Sequence, residues 1–432
     1  MKVSDFLNNE LVDYASYSCL RAIASYIDGF KNAHRKVIHV LAGPDGSKNT
    51  KVSTLAGIIQ VKTEYLHGDI SGSIVTLAQD YAGTNNISLI KKEGNFGSRF
   101  NHDNSATRYI FGSRSDIFNK VIKPEDFKIL IHQEFEGTKI EPRFFIPTIP
   151  LILVNGSEGI ATGFAQKILP RNPKEIIKYL KGQKADLTPY FNGFNGSITK
   201  IDGSWLIRGS FKRDKKFIEI TEIPVNYDLN SYLKVLDTLE EQKKIKRYED
   251  FSDNDIFNFK VYMDTSLDDE KIYELLKLQT RITENLTTID ENNKIKVFSS
   301  VEELLDAYKE IKLKFTDLRK QSIISDLSLE LRILISKYLF VSGIVDEKII
   351  VNKQSKDKII KQLENNKNII KVDNSYDYLL RMQIHSLTIE KLKELKAEID
   401  NKNNELKTIS SKSNKDIWFE DLNDLLKDLK WH

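Results

Sequence analysis

The sequence contains almost no cysteine and no long apolar run. Its one cysteine, Cys19, excludes a disulfide within the chain, and any zinc site would have to consist mostly of histidine. The longest nearly apolar run covers residues 144–154 and includes two prolines, whereas a membrane-spanning helix needs about 20 apolar residues. An apolar signal core does not follow the first residues. These absences predict a cytoplasmic protein with no membrane partner.

The sequence also lacks the usual signs of nucleotide and metal binding. No G-x-x-x-x-G-K-[ST] phosphate loop occurs. Asp253-Asn254-Asp255 has the spacing of a magnesium site, but no buried strand precedes it, which favours a solvated loop. Asp268 and its acidic neighbours are typical of a helix start. We therefore expect no metal site in this chain, and any phosphate chemistry would need a metal and an ATPase from another chain.

Charge of one sign does not dominate. The 65 basic and 62 acidic residues give a net charge of +3, which alone indicates no nucleic-acid partner. Locally, residues 91–114 hold five basic and two acidic residues, so 5 − 2 = +3, and residues 19–40 form a second basic stretch. Two basic stretches in the first quarter predict a phosphate-binding surface, with a solvated face as the alternative.

The pattern of apolar residues changes along the chain. The first 155 residues mix glycine turns with short apolar runs, and the run at 149–154 is β-prone. Strand-like and helix-like runs then alternate up to residue 299, which is typical of an α+β domain. Two heptad stripes follow, and Lys402 is the one polar member of the second. They predict an antiparallel coiled-coil hairpin with a helical knob at 337–385, or else two ordinary bundle helices, before a less ordered tail at 411–432.

Three short segments carry candidate chemistry. Arg108-Tyr109 joins a possible nucleophile to a cation that suits phosphate, although a tyrosine phenol titrates near pH ~10 and such a pair is often packing plus a surface charge. His67 precedes a glycine and can donate to phosphate or accept the phenol proton, or it is a structural turn residue. Ile160 lies among three glycines and can wedge between bases, or it is a buried turn residue.

Five segments, taken in order, resemble those of type II DNA topoisomerases. They are Arg21-Ala22-Ile23-Ala24 with Asp28-Gly29-Phe30-Lys31 and His34-Arg35-Lys36-Val37, then His67-Gly68-Asp69 with Ala78-Gln79, then Gly94-Asn95-Phe96-Gly97, then Ala106-Thr107-Arg108-Tyr109, and last the stretch 147–163. The stretch 382–388 resembles the family's return into its helical hairpin. Ala24 and Ala33 stand where the family usually has proline, and Leu66 replaces its usual histidine or proline.

The resemblance implies an α+β multidomain fold. It would consist of a winged-helix DNA-cleavage domain at 1–155, an α/β tower domain at 156–299, and a long antiparallel coiled coil at 300–410 that carries a helical exit gate. Tyr109 would be the DNA-cleaving nucleophile beside Arg108. The remaining site residues implied are Arg21, Lys31 and His67 around the same phosphate, and Ile160, His34, Arg35, Lys36, Arg99 and Asn155 as DNA-binding residues.

The resemblance also implies partners. Magnesium would be held by a partner's TOPRIM domain, ATP by a partner ATPase chain, and double-stranded DNA by a homodimer formed through the cleavage domain and the exit gate. The layout resembles the medium subunit of T-even bacteriophage topoisomerases more than bacterial gyrase A. The expected lack of gyrase A's C-terminal wrapping domain favours relaxation and decatenation over supercoiling. A phage-encoded chain would act in the host cytoplasm. A silent DNA-bending protein and a helical interaction protein remain as alternatives.

Overall fold

A computed structural model describes residues 3–383 and 387–429. The chain divides into two compact units, one formed by residues 1–312 with 419–432 and the other by residues 313–418. The first unit holds both the predicted cleavage region and the predicted tower region, so the boundary at 155 remains a prediction. Within the described residues, no helix is both long and apolar enough to cross a membrane.

The first unit begins with helices and a small sheet. The helices are α1 (Val3–Asn8), α2 (Glu10–Ala22), α3 (Asn32–Ala42), α4 (Val52–Thr63) and α5 (Ser71–Ala78), and the strands are β1 (Thr50–Lys51), β2 (Ile90–Glu93) and β3 (Phe111–Arg114). Val37, Ile38 and Leu41 of α3 are fully buried because their spacing places them on one helix face. The antiparallel sheet has the order β1-β3-β2. Helices α3, α4 and α5 pack against this three-stranded sheet, within the region predicted to be a winged helix.

A connecting region follows the winged helix. It contains α6 (Phe118–Val121), β4 (His132–Phe135), β5 (Thr138–Pro142), α7 (Leu151–Val154), β6 (Ser157–Ala161), β7 (Phe164–Ile168) and α8 (Pro173–Leu180), with a 3-10 turn at Pro124–Lys128; another 3-10 turn, Pro44–Ser47, lies earlier, between α3 and β1. The prediction that the run at 149–154 is a strand is wrong, since its last four residues form the buried helix α7. An apolar run of this length does not distinguish a strand from a buried helix.

The remaining strands of the first unit form a four-stranded sheet, a three-stranded sheet and the two-stranded pair β15–β16, all antiparallel. The elements are β8 (Ser197–Ile201), β9 (Ser204–Arg208), β10 (Ser210–Arg213), β11 (Ile218–Glu222), α9 (Leu229–Glu241), β12 (Arg247–Asp250), β13 (Phe259–Tyr262), α10 (Asp269–Leu275), β14 (Gln279–Ile282), β15 (Thr287–Ile289) and β16 (Ile295–Val297). Their strand orders are β10-β11-β13-β12 and β14-β9-β8. In the first of these sheets Lys212, Glu219, Lys260 and Glu249 are paired in one row of alternating charge. Alternating charges stabilise neighbouring strands.

The second unit contains the predicted hairpin. Its helices are α11 (Val301–Val345, which begins in the first unit), α12 (Lys356–Glu364), α13 (Asp377–Leu380) and α14 (Ile389–Ser411). Lys320 donates to the carbonyl of Ser410 (3.1 Å), and Glu330 pairs with Lys402 (3.1 Å). Because the later residue of α11 pairs with the earlier residue of α14, the two helices are antiparallel. The predicted knob at 337–385 contains α12 and α13. Residues 384–386, which fall within the predicted return at 382–388, lie outside the described residues.

The C-terminal segment corrects one expectation. A helix, α15 (Asn414–Asp428), occupies most of the segment that was predicted to be less ordered. Leu422 and Leu425 of this helix are fully buried, and Asp421 and Asp424 pair with Lys123 and Lys120. The spacing of the buried leucines explains why this segment forms a helix, because it gives the helix one apolar face.

Candidate active site

Tyr109 lies in a tight turn that is fastened to the start of α4. Its backbone N–H donates to the carbonyl of Ala106 at 2.8 Å. The first two backbone N–H groups of α4 donate to the carbonyls of Ile110 (2.9 Å) and Thr107 (3.2 Å). The first N–H groups of a helix have no partner within it, so these carbonyls satisfy them. The turn is therefore held on both sides of the tyrosine.

The side chains of Arg108 and Tyr109 are both exposed. The Tyr109 side chain is 66% exposed, and the central guanidinium carbon of Arg108 lies 4.8 Å from its ring centre. This distance permits a cation–π contact, worth about 0.5–1 kcal/mol at an exposed position. An exposed phenol beside a fixed cation is open to a phosphate from solvent, and burial would have excluded that chemistry.

His67 lies on the loop between α4 and α5, next to two tyrosines. The hydroxyl of Tyr17, on α2, lies 2.8 Å from its Nε2, and the ring centre of Tyr65 lies 5.7 Å from its own. Gly68 has a positive φ of 82°, and its carbonyl accepts a hydrogen bond from Gln60 at 2.6 Å. The glycine makes this sharp loop possible. Sequence reasoning missed Tyr17, whose partner is 50 residues away.

A cleft of about 670 Å³ collects several of the predicted residues. Its lining includes Glu158 and four of the predicted residues, namely Arg21, Lys31, His34 and Asn155. The lining does not include Tyr109, Arg108 or His67. The structure thus brings the predicted residues together as two groups. One is the exposed tyrosine turn, and the other is a cleft whose cationic side chains are Arg21, Lys31 and Lys167.

His34 is a neutral member of this cleft at neutral pH. Burial, together with the positive charges of Lys31 and Arg35, lowers its pKa to about 4. A neutral imidazole can donate one hydrogen bond and accept another, but it adds no positive charge. The cationic side chains in the lining are Arg21, Lys31 and Lys167, of which Lys167 is paired with Glu158, so any electrostatic attraction of phosphate to the cleft comes from these side chains.

Ile160 is on an exposed β-hairpin. Strands β6 and β7 are joined by the two-residue turn Thr162-Gly163, and Gly163 has a positive φ of 81°. Ile160 pairs with Ala165 in the ladder, and its side chain is 83% exposed. The prediction that it could be a buried turn residue is therefore wrong. A large apolar side chain presented in this way can enter the space between two base pairs.

Several contacts dock this hairpin onto α2 and the segment after it. Thr162 donates its backbone N–H to the hydroxyl of Ser18 at 3.1 Å. A side chain at Gly159 would lie 2.1 Å from the carbonyl of Ala22, so only glycine allows this approach. The buried Gln166 side chain bonds both the N–H and the carbonyl of Ala24 at 3.1 Å. These contacts, which sequence reasoning missed, hold Ile160 close to the end of α2 that carries Arg21.

Arg35 and Lys36, two predicted DNA-binding residues, are engaged inside the protein. Arg35 is 6% exposed, and its guanidinium binds the Asp28 carboxylate at 2.7 Å. Lys36 donates to the carbonyl of Thr63 at 2.6 Å and to Glu141 at 3.0 Å. Buried cations need such partners. Neither side chain contributes a free charge to a DNA surface, so we do not place them there.

Arg99 and Asn155 also have internal partners. Arg99 is 5% exposed, and it donates to the carbonyls of Ile223 (2.7 Å) and Pro224 (3.0 Å). Asn155 borders the cleft, but its side-chain amide exchanges two hydrogen bonds of 2.9 Å with the backbone of Ile87. These side chains hold segments of the fold together, because each satisfies backbone groups distant in sequence. We likewise do not assign them to DNA binding.

The described residues do not form a metal site. Within 3–383 and 387–429, no group of three or more His, Cys, Asp or Glu side chains could hold a metal ion. Asp253 and Asp255 belong to an exposed turn, in which Asp253 accepts from the side chain of Asn254 at 2.9 Å. The described residues therefore do not fit a magnesium ion.

Comparisons with known proteins agree with this geometry. Residues 21–423 match the family model for the A subunits of DNA gyrase and topoisomerase IV. The chain is 30% identical to DNA topoisomerase 2 of Penicillium chrysogenum over 99% of the chain and 30% of that protein. It is 32% identical to DNA topoisomerase 2 of Plasmodium falciparum over 97% of the chain and 34% of that protein. The chain thus spans about a third of the length of these relatives.

A solved structure of a type II topoisomerase also matches this chain. The crystal structure of the Plasmodium falciparum topoisomerase II DNA-binding, cleavage and re-ligation domain superposes with a TM-score of 0.89 and 31% sequence identity. The match covers 98% of this chain and 64% of that one, and it confirms the predicted fold class. The chain belongs to the family of DNA gyrase and topoisomerase IV A subunits and corresponds to the DNA-binding and cleavage region of type II topoisomerases.

Proposed function

We propose that this chain cleaves and religates DNA in an ATP-dependent type II topoisomerase, with Tyr109 as the nucleophile. The observation that carries the proposal is the exposed Tyr109 phenol beside the Arg108 guanidinium, on a turn that two carbonyl contacts fasten to α4. The fold around this turn matches a cleavage and re-ligation domain over nearly the whole chain.

In the proposed reaction, the Tyr109 oxygen attacks a backbone phosphorus of the bound duplex. The bond from phosphorus to the 3′ oxygen breaks, a 5′-phosphotyrosyl bond forms, and the phenol proton passes to His67 or water while the 3′ oxygen gains a proton. The covalent bond conserves the phosphodiester, so the reverse attack reseals the strand without another energy source. Arg108 stabilises the charge that develops on the phosphate.

Arg21 and Lys31 supply the other cations of the proposed DNA surface, and Ile160 bends the duplex. Arg21 is exposed at the end of α2, and Lys31 faces the same cleft. Ile160 enters between two base pairs from the hairpin that docks on α2. Bending costs energy, which the additional contacts of a bent duplex offset.

The complete enzyme needs groups outside the described residues. One tyrosine cuts one strand, so a double-strand break requires two copies related by a twofold axis. We propose that magnesium is held by a TOPRIM domain and that ATP is hydrolysed by an ATPase domain, either on separate chains as in the T-even bacteriophage enzymes or elsewhere. Relaxation and decatenation are the proposed outcome, in a host or cellular cytoplasm.

The proposal is tested by trapping the covalent intermediate. The chain is mixed with a TOPRIM-bearing partner, Mg²⁺ and supercoiled DNA, and the reaction is quenched with detergent and protease. DNA attached to a peptide containing Tyr109 is the expected result. Tyr109→Phe should abolish this product, while Tyr14→Phe, which changes another exposed tyrosine, should not. Cleavage by Tyr109→Phe at the wild-type rate would end the proposal.

One observation favours a second function, a DNA-bending protein without cleavage. Ile160 is 83% exposed, and its bending action needs no nucleophile. Under this alternative, the chain bends a duplex but forms no covalent product with any partner, and Ile160→Ala abolishes its only activity.

A further inference from the structure

The loop that carries Tyr109 has a second attachment, far from α4. Residues 95–109 lead from the glycine-broken turn after β2 to the tyrosine. Near Tyr109 the loop is held by the two carbonyl contacts with α4. At its other end, contacts from three residues, Arg99, Phe100 and His102, join the loop to the segment 222–229, which connects β11 to α9.

Arg99 makes the strongest of these contacts. Its guanidinium donates to the carbonyls of Ile223 (2.7 Å), Pro224 (3.0 Å) and Tyr227, and it lies 3.5 Å from the Glu222 carboxylate. The group is 5% exposed, so water cannot replace these bonds. A planar fork with five donors can reach three carbonyls at once, whereas a lysine ammonium cannot adopt this geometry.

The neighbours of Arg99 extend the attachment. The carbonyl of Phe100 accepts from the N–H of Leu229 at 3.1 Å, at the first residue of α9. The N–H of His102 lies 3.4 Å from the carboxylate of Asp228, which also caps α9 through Ser231 at 2.7 Å. The Phe100 ring packs against the buried core of the β10–β13 sheet.

We propose that Arg99 is a positioning residue for the DNA-cleaving tyrosine. Through Arg99, Phe100 and His102, the segment 222–229 and the β10–β13 sheet behind it set the position of the loop that presents Tyr109. The expected effect on DNA cleavage rests on the proposed function of Tyr109. The attachment of the loop to the sheet does not, because its contacts are present whether or not Tyr109 is a nucleophile.

The attachment has a specific kinetic consequence. Arg99 is buried against backbone carbonyls, so its loss leaves the cations that bind DNA in place. A displaced nucleophile loses rate at saturating substrate, and a shift of about 1 Å can cost up to about a hundredfold. Loosening Arg99 therefore lowers the rate of cleavage by bound enzyme and leaves the affinity for DNA unchanged.

The test compares Arg99→Lys with Arg171→Lys in the full chain with its partner. Arg171 is a matched control, because it is 1% exposed and binds two carbonyls and the Glu284 carboxylate away from the tyrosine loop. The first measurement is single-turnover cleavage at saturating DNA, with DNA affinity measured in parallel. We expect Arg99→Lys to slow cleavage by about tenfold or more with affinity within about twofold, and Arg171→Lys to leave the rate unchanged.

The second measurement does not depend on activity. Backbone hydrogen exchange should be faster at Ser105 and Tyr109 in Arg99→Lys and unchanged there in Arg171→Lys. Asp228→Asn keeps a side-chain oxygen that can cap α9, and it should give a smaller increase in hydrogen exchange at Ser105 and Tyr109. This variant replaces Arg99→Lys in the test if Arg99→Lys does not fold. Unchanged exchange at residues 105–109 would overturn the attachment. Faster exchange with equal cleavage rates in both arginine variants would overturn the positioning role.

Discussion

The side-chain ammonium of Lys31 donates a hydrogen bond of 2.7 Å to the backbone carbonyl of Glu158, two residues before Ile160. A cation of the cleft is thereby tied to the strand that presents the wedge. Burial lowers the pKa of Lys31, and the nearby Glu158 carboxylate acts in the opposite direction. Lys31 therefore links phosphate binding to the position of the hairpin.

Lys31→Met should impair cleavage and bending together. The variant keeps most of the side-chain volume but removes the charge and the bond to Glu158. We expect cleavage to fall about a hundredfold, as for the loss of one preorganised donor. The bend angle, measured by fluorescence transfer between the DNA ends, should decrease as well. Lys178→Met is the control, since Lys178 is not in the lining of the cleft and its loss removes only an exposed ion pair to Glu175. Reduced cleavage with an unchanged bend would refute the link.

Ile160→Ala should reduce bending without affecting the fold. The side chain is 83% exposed, so its truncation should change the free energy of unfolding by no more than about 0.5 kcal/mol. Phe164→Ala is the matched control, because Phe164 pairs with Ala161, one position away, and so lies on the other face of the hairpin. Bend angle and cleavage should both decrease in Ile160→Ala only. Equal bending by wild type and Ile160→Ala would remove the proposed wedge.

Tyr17→Phe should lower cleavage through His67. The hydroxyl of Tyr17 lies 2.8 Å from Nε2 and 3.5 Å from Nδ1, so its shorter hydrogen bond is to Nε2, and Nδ1 is the nitrogen we expect to meet a phosphate or the phenol proton. Its removal costs about one hydrogen bond, so we expect a roughly three- to tenfold lower rate. Tyr14→Phe on the same helix should keep the wild-type rate. The ¹⁵N shifts of the His67 ring should change in Tyr17→Phe, and identical ring shifts would show that Tyr17 does not orient the histidine.

The sequence predicted the exposed candidate residues more accurately than it predicted which charged side chains are buried. Tyr109, Arg108 and Ile160 are exposed as their proposed chemistry requires, because short motifs specify turns and hairpins locally. Arg99 belongs to the same basic stretch as Arg108 and carries the same charge. Its partners, however, are backbone carbonyls more than 120 residues away in the sequence. A count of charges cannot tell a cation that faces water from one that satisfies buried backbone.

The sequence of α15 contains the apolar spacing that is typical of an amphipathic helix. Leu422 and Leu425 lie three residues apart and are buried, which is the spacing of an amphipathic helix. The abundance of lysine and asparagine before them suggested disorder instead. By contrast, Lys402 is explained by its surroundings, because this polar member of the heptad stripe pairs with Glu330 on the facing helix.

Finally, the first unit should lose stability in acid through His39. Burial, followed by the charges of His132 and of nearby lysines, lowers the pKa of His39 to about 4, below the ordinary value near 6.5. The fold therefore disfavours the charged imidazole. Its contribution to stability is complete above pH 6.5 and is lost as the pH falls towards 4, by at most about 3 kcal/mol. In urea titrations between about pH 7 and pH 4.5, His39→Gln should show a shallower loss of the free energy of unfolding than wild type. Equal slopes would contradict the burial of a neutral His39 as the cause.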